Sequence, residues 1–242
     1  APFQIVQASE VGGVPGTFTF SGPGVSSSGL FDPSLVGPGN YTIKYVFTSI
    51  AGCMDSAQRS IRILQPPLAN FGFSSPACQT RAVSFRDSCL APVGAITTWT
   101  WDFADGSPVL IRNNNNPFTH IFQLPGNYPV KLAVTTDDGC TSLARIKNVL
   151  VSPEPIANFS FTDTSCLPNA VIQFNNLTTI SDGTVNSLRY LWNFDHPAAG
   201  PLNISTAVNP SHLYYDEGPF NVKLTVVSAF GCSDDTTIQV NT

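Results

Sequence analysis

Pro125-Gly126-Asn127-Tyr128-Pro129-Val130-Lys131-Leu132-Ala133-Val134-Thr135-Thr136-Asp137-Asp138-Gly139-Cys140 decides how this chain is read, because it has two relatives elsewhere in the sequence. Pro38 to Cys53 reads Pro-Gly-Asn-Tyr-Thr-Ile-Lys-Tyr-Val-Phe-Thr-Ser-Ile-Ala-Gly-Cys, and Gly218 to Cys232 reads Gly-Pro-Phe-Asn-Val-Lys-Leu-Thr-Val-Val-Ser-Ala-Phe-Gly-Cys. Each version runs from a glycine turn through an aromatic (Tyr41, Tyr128 or Phe220) and alternating side chains to a Gly-Cys turn. Period-two alternation marks a half-buried strand, and the glycine that ends it marks a hairpin. In the middle version Tyr128, Val130, Leu132 and Val134 share one face. Recurrence at this interval predicts an array of small β-domains.

Composition agrees. Charged residues are 11% of the 242, well under the usual quarter, and 20 prolines and 18 glycines suit short strands joined by turns. The net charge of −5 offers no basic stripe for a phosphate backbone, which argues against nucleic acid as a partner. No apolar run approaches the roughly 20 residues of a membrane helix, so membrane insertion of this segment is not expected. The chain opens in strand-like Ala1-Pro2-Phe3-Gln4-Ile5-Val6 without a basic start and hydrophobic core, and reads as a piece of a longer secreted protein.

Three units follow from the repeats: 1–64, 65–152 and 153–242. The first shows no tryptophan motif and reads as N-terminally truncated. Gln65-Pro66-Pro67 and Ser152-Pro153-Glu154-Pro155 are expected to be short, stiff linkers, since proline fixes its own backbone and donates nothing to a ladder. The later two units match along their length: Ala69-Asn70-Phe71 with Ala157-Asn158-Phe159, Trp101 with Trp192, and His120 with His212. About seven strands in such a unit predict a sandwich of two sheets. The face of Trp99, Trp101 and Phe103, like that of Tyr190, Trp192 and Phe194, is expected to be core. The fold expected is all-β: tandem Ig-like sandwiches arranged as an extended rod.

At Trp101-Asp102-Phe103-Ala104-Asp105-Gly106, Asn116-Pro117-Phe118-Thr119-His120 and Pro125-Gly126-Asn127-Tyr128, the second unit resembles the PKD (polycystic kidney disease) domain. The third keeps Trp192, Phe194, His212 and Gly218 but reads Trp-Asn-Phe-Asp-His where the turn belongs. The first resembles a related Ig-like repeat. Such mixed arrays resemble large surface proteins exported by the type IX secretion system of gliding bacteria. That resemblance implies a non-catalytic, extracellular cell-surface segment, a spacer or adhesin stalk, whose partners are neighbouring repeats of the same long chain. The alternative is an accessory module of a secreted hydrolase that binds an extracellular glycan or protein. Trp99, Phe118, Tyr215 and Phe230 are the aromatics that could stack on a sugar, with Tyr215 and Phe230 expected to face solvent.

Six cysteines suit disulfides in an oxidising compartment. One scheme stays inside each unit, Cys78 with Cys140 and Cys166 with Cys232. A second follows strand direction. If strands alternate up and down, Cys78 and Cys140 lie at opposite poles, too far apart for a bond that needs α-carbons within about 7 Å. That scheme pairs Cys89 with Cys140 and staples Cys78 to Cys232 in the next unit, leaving Cys53 and Cys166 to partners outside. Both schemes remain open from sequence alone.

No Gly-x-Ser-x-Gly elbow accompanies His120 or His212, so a hydrogen-bonded structural role is expected for them and no catalytic residue is assigned. His196 is expected to be exposed. No organic cofactor is expected. The family resemblance implies calcium as the one candidate ion, with Asn70 and Asp87, and Asn158 with Asp182, as oxygen ligands.

Overall fold

The computed structural model describes residues 2–6, 12–162 and 170–242. The first repeat contains β1 (Phe3–Gln4), β2 (Gly16–Ser21), β3 (Leu30–Phe31), β4 (Gly39–Ser49) and β5 (Met54–Ile63). β2, β4 and β5 form an antiparallel sheet with β4 in the centre, and β1 pairs with β3 in a two-residue ladder. Alternation puts Phe20 and Ile43 on the inner face, where they bury against Phe31. The rest of that face is thinly covered: Phe18 is 55% exposed, and a groove of about 1010 Å³ is lined by Phe20, Ile43, Tyr45 and Phe47 among others.

The second repeat has β6 (Phe71–Phe73), β7 (Ala77–Cys78), β8 (Ala82–Asp87), β9 (Ile96–Asp102), β10 (Leu110–Arg112), β11 (Phe118–Ile121), β12 (Gly126–Thr136) and β13 (Arg145–Ser152). They make two sheets, β10-β9-β12-β13-β7 and β11-β8-β6. The third has β14 (Pro155–Ile156), β15 (Phe159–Thr162), β16 (Ala170–Asn176), β17 (Thr179–Ile180), β18 (Arg189–Asn193), β19 (Ile204–Ser205), β20 (Ser211–Tyr214), β21 (Phe220–Val227) and β22 (Ser233–Val240). Its sheets are β19-β18-β21-β22 and β15-β16-β20, with β14 paired to β17.

The tryptophan strands are core, as their alternation requires. Trp101 and Trp192 are fully buried. Each is clasped edge-on by the phenylalanine that opens its repeat, Phe71 to Trp101 and Phe159 to Trp192, both at 5.0 Å between centroids. Aromatic pairs in this orientation contribute about 0.5–1.5 kcal/mol beyond the area they bury. In the opening hairpin strands Tyr41 donates its hydroxyl to the Val36 carbonyl and Tyr128 donates to Leu124, so both tie the strand to the turn before it. Phe220 has no hydroxyl. The third repeat instead sends the buried Tyr214 hydroxyl to the Phe194 carbonyl at 2.9 Å.

One linker differs from expectation. Pro155 and Ile156 join a ladder with Ile180 and Thr179, because a two-residue strand at a sheet edge can accept bonds without the proline N–H. Packing also divides the chain differently from the repeats. One compact unit comprises 1–69, 89–99 and 133–144; the other comprises 70–88, 100–132 and 145–242.

The turn after Trp101 carries a testable cost. Asp102 accepts the Ala104 N–H, which draws Ala104 into the left-handed region at φ 56°, where a Cβ is disfavoured. Ala104→Gly is expected to stabilise the protein by about 0.5–1 kcal/mol, read as a higher urea midpoint with unchanged m-value.

Candidate functional site: a cross-linked joint

Two observations bring the end of the second repeat to the hairpin tip of the third. β7 lies parallel to the end of β13, with Ala77 beside Val151 and Cys78 beside Ser152. In the third repeat the β21–β22 hairpin closes with Ser228 N–H on the Cys232 carbonyl and Cys232 N–H on the Ser228 hydroxyl. Gly231 precedes the cysteine at φ 86°, and a Cβ there would stand 3.3 Å from Pro76. Only glycine gives both the backbone angle and the close approach.

Cys78 and Cys232 form a disulfide across this contact, with α-carbons 5.7 Å apart. Both residues are buried. Around it, Arg81 pairs through Nε with Glu154 and donates from Nη2 to the Ser233 carbonyl at 3.0 Å. Thr80 Oγ1 donates to Glu154 at 3.0 Å, and the Ala157 N–H donates to Asp234 at 2.8 Å. The Arg81 side chain is 59% exposed, so the ion pair contributes about 0–1 kcal/mol. The covalent bond dominates the joint.

This bond excludes the in-unit scheme: neither Cys78–Cys140 nor Cys166–Cys232 forms, and Cys166 itself lies outside the described residues. The Cys89–Cys140 closure does not form either, because Cys140 is a thiol. Cys140 is held by Thr136 in its own turn, while the backbone on either side of Cys89 is tied to Asn70 and Leu68. Cys53 is an exposed thiol.

The histidines build a second cluster. In the second repeat His120 stacks on Phe103 at 3.7 Å and its Nε2 meets Asp105 at 2.7 Å. The other oxygen of Asp105 accepts from Ser107. Burial raises the Asp105 pKa, but hydrogen bonds from Ser107 and His120 outweigh it and hold the carboxyl below its ordinary value. The carboxylate thus stands between serine and histidine. In a nucleophilic triad the histidine must stand between the other two, so this arrangement does not prime the hydroxyl.

In the third repeat, counting from the tryptophan, His196 takes the place of Asp105. It is buried, not exposed, and its Nδ1 lies 2.9 Å from His212 Nε2, with Nε2 3.2 Å from Asp216. Sequence reading missed this, although the alignment on Trp192 already set His196 opposite His212. Burial, aided by the neighbouring His196, pushes His212 down to about 4. The folded state therefore resists a proton that the unfolded chain accepts near pH 6.5. Stability is fully present above that pH and is lost as pH falls toward 4, by up to about 3 kcal/mol. Urea midpoints at pH 7 and pH 4.5 are expected to differ, and His212→Gln is expected to flatten that difference.

The calcium candidates are distributed unevenly. Asn70 and Asp87 are brought together, since Phe71 pairs with Asp87 and Ser88 N–H bonds the Asn70 carbonyl. Asn158 and Asp182 are not: Asn158 meets Leu177, and the structural counterpart of Asp87 is Asn176, opposite Phe159. Asn158 Oδ1 accepts from Phe159 N–H, and Asp182 Oδ1 accepts from the N–H and hydroxyl of Thr184. Calcium takes six to eight oxygens, more than the side chains of either pair supply by themselves. Among the described residues no group of three His, Cys, Asp or Glu side chains is arranged to hold a metal. Of the candidate aromatics, Trp99 is buried, Phe118 is half-buried beneath Arg112, and Tyr215 and Phe230 are exposed. No helix of the described residues is long and apolar enough to cross a membrane.

The chain is similar to the fibronectin(III)-like modules of CbhA from Clostridium thermocellum, at 11% identity over 71% of this chain and 93% of that one, with a TM-score of 0.37. It is similar to carbohydrate-binding modules of the β-sandwich superfamily, at 15% identity over 74% and 93%, TM-score 0.34. It is also similar to the EC1–4 segment of Drosophila N-cadherin, at 14% identity over 99% and 69%, TM-score 0.26. The PKD domain model matches residues 64–151 and again 152–242. With two tandem matches spanning most of its length, the chain belongs to the PKD domain family.

Proposed function

We propose that this chain is a non-catalytic spacer in the stalk of a large cell-surface adhesin, placed outside the cell by type IX secretion in a gliding bacterium. On this reading the units are 1–64, an Ig-like repeat, 65–152 and 153–242, and their partners are neighbouring repeats of the same protein. The observation that carries the proposal is the Cys78–Cys232 bond between consecutive repeats. A spacer gains from a joint that cannot drift, and disulfides persist in oxidising compartments outside the cytosol. The family match to tandem PKD domains supports the same reading.

Small-angle scattering tests the spacer geometry. A compact globule of 242 residues has a radius of gyration of about 18 Å. The proposal expects a value well above that, with the distance distribution tailing as a rod does. A globular value sinks the stalk reading.

A further inference from the structure

We propose that the Cys78–Cys232 disulfide is a load shunt, which carries tension past the folded interior of the second and third repeats. The inference rests on the spacer reading for its biological use, but its physical content follows from covalent connectivity alone. Tension applied at the two ends runs from Ala1 to Cys78, crosses the sulfur–sulfur bond, and continues from Cys232 to Thr242. Everything between the two cysteines, a sequence separation of 154, lies in a covalent loop off that path. The loop contains the tryptophan strands β9 and β18 and the core residues Phe85, Trp101, Phe174 and Trp192. The backbone of that loop is not stretched while the bond is intact; what stays on the loaded path beside it is β6, through Phe71 against Trp101, and β22 against β21.

The exit from the shunt suits this use. Cys232 is followed directly by β22, whose residues from Ser233 to Val240 pair with Val227 to Phe220 of β21. The load enters β22 at one end and leaves at the other, so it pulls along a strand that is already extended. A strand rises about 3.3 Å per residue and a taut chain spans at most about 3.6 Å, so β22 lengthens little even if it detaches. On the entry side, β7 is braced by its parallel pairing to the end of β13, which itself lies within the loop. What remains extensible is the chain ahead of Cys78, chiefly the first repeat. That repeat fully buries only Phe20, Phe31 and Ile43 as hydrophobic core among the described residues, so it is the part expected to yield first.

The bond also makes the device redox-dependent. A dithiol reductant breaks it in a two-electron exchange: each protein sulfur ends as a thiol, and the reductant closes to its own cyclic disulfide. The whole loop then joins the load path.

Single-molecule stretching of the full chain from its termini, with and without dithiothreitol, tests the proposal. The oxidised protein is expected to release only the length ahead of Cys78, plus a minor contribution after Cys232. Reduction is expected to add about 55 nm of contour length, from 154 residues at about 0.36 nm each. The double variant Cys78→Ser/Cys232→Ser should show the long extension without reductant; reduction of the folded wild-type chain gives the same reading should that variant fail to fold. Full-length extension of the oxidised protein, or equal extension in both states, overturns the shunt. A rod in scattering with no redox dependence in stretching leaves the spacer reading standing and removes the shunt, whereas a globule with redox-dependent stretching does the reverse.

Discussion

Replacing both Cys78 and Cys232 by serine is expected to cost the protein 2–5 kcal/mol, in the range of about 5–15 °C in thermal midpoint. The upper figure comes from chain entropy. A closed loop spanning a separation of 154 residues restricts the unfolded chain by about 5 kcal/mol, and native strain or residual structure lowers the realised value. No other contact at the joint approaches this. The Arg81 end of the Arg81–Glu154 pair is largely exposed, and removing it by Arg81→Ala is expected to change stability by about 1 kcal/mol or less. Calorimetry of the two variants side by side separates the terms. A double-serine variant no less stable than Arg81→Ala would mean that the disulfide constrains nothing the fold does not already hold.

Trp192→Ala is expected to be as damaging, at about 3–5 kcal/mol, because the ring is wholly buried between Phe159 and Phe174 and its loss leaves a cavity. The conservative change discriminates further. Trp192 Nε1–H donates to the Ala207 carbonyl at 2.9 Å, whereas Trp101 Nε1 meets no acceptor among the described residues. Trp192→Phe therefore forfeits a hydrogen bond, and Trp101→Phe removes an unsatisfied donor. Trp101→Phe should be the milder of the two by about 1–3 kcal/mol in urea unfolding. Equal costs would show that ring volume alone sets the penalty.

The framework of the fold was legible because it depends on local rules repeated three times. Alternation around Tyr128–Val134 specified which side chains of β12 face inward, and the Gly-Cys pairs specified hairpin turns that need a positive φ. The tryptophan face followed from the same period. What escaped was contact between residues distant in sequence. Strand direction made a Cys78–Cys232 bond conceivable but left it beside a simpler pairing, since nothing local says which hairpin tip meets which strand end. His196 looked like a polar residue in a loose turn; only its partners, His212 from β20 and Asp216 beyond it, make it a core residue. The match of Asp182 to Asp87 failed for a related reason. Both precede the tryptophan strand, yet the ladder register gives that place to Asn176, and sequence spacing could not see the extra turn that carries Asp182 away. Pro155 entering a ladder shows that a proline forbids donation, not acceptance, at a strand edge.

The joint is the claim on which the rest depends, and mass spectrometry of a non-reduced proteolytic digest tests it most directly. The account predicts a peptide pair linked through Cys78 and Cys232 that disappears on reduction. Recovery of Cys78 linked to Cys140, or of Cys166 linked to Cys232, would confine each bond to its own repeat and contradict it.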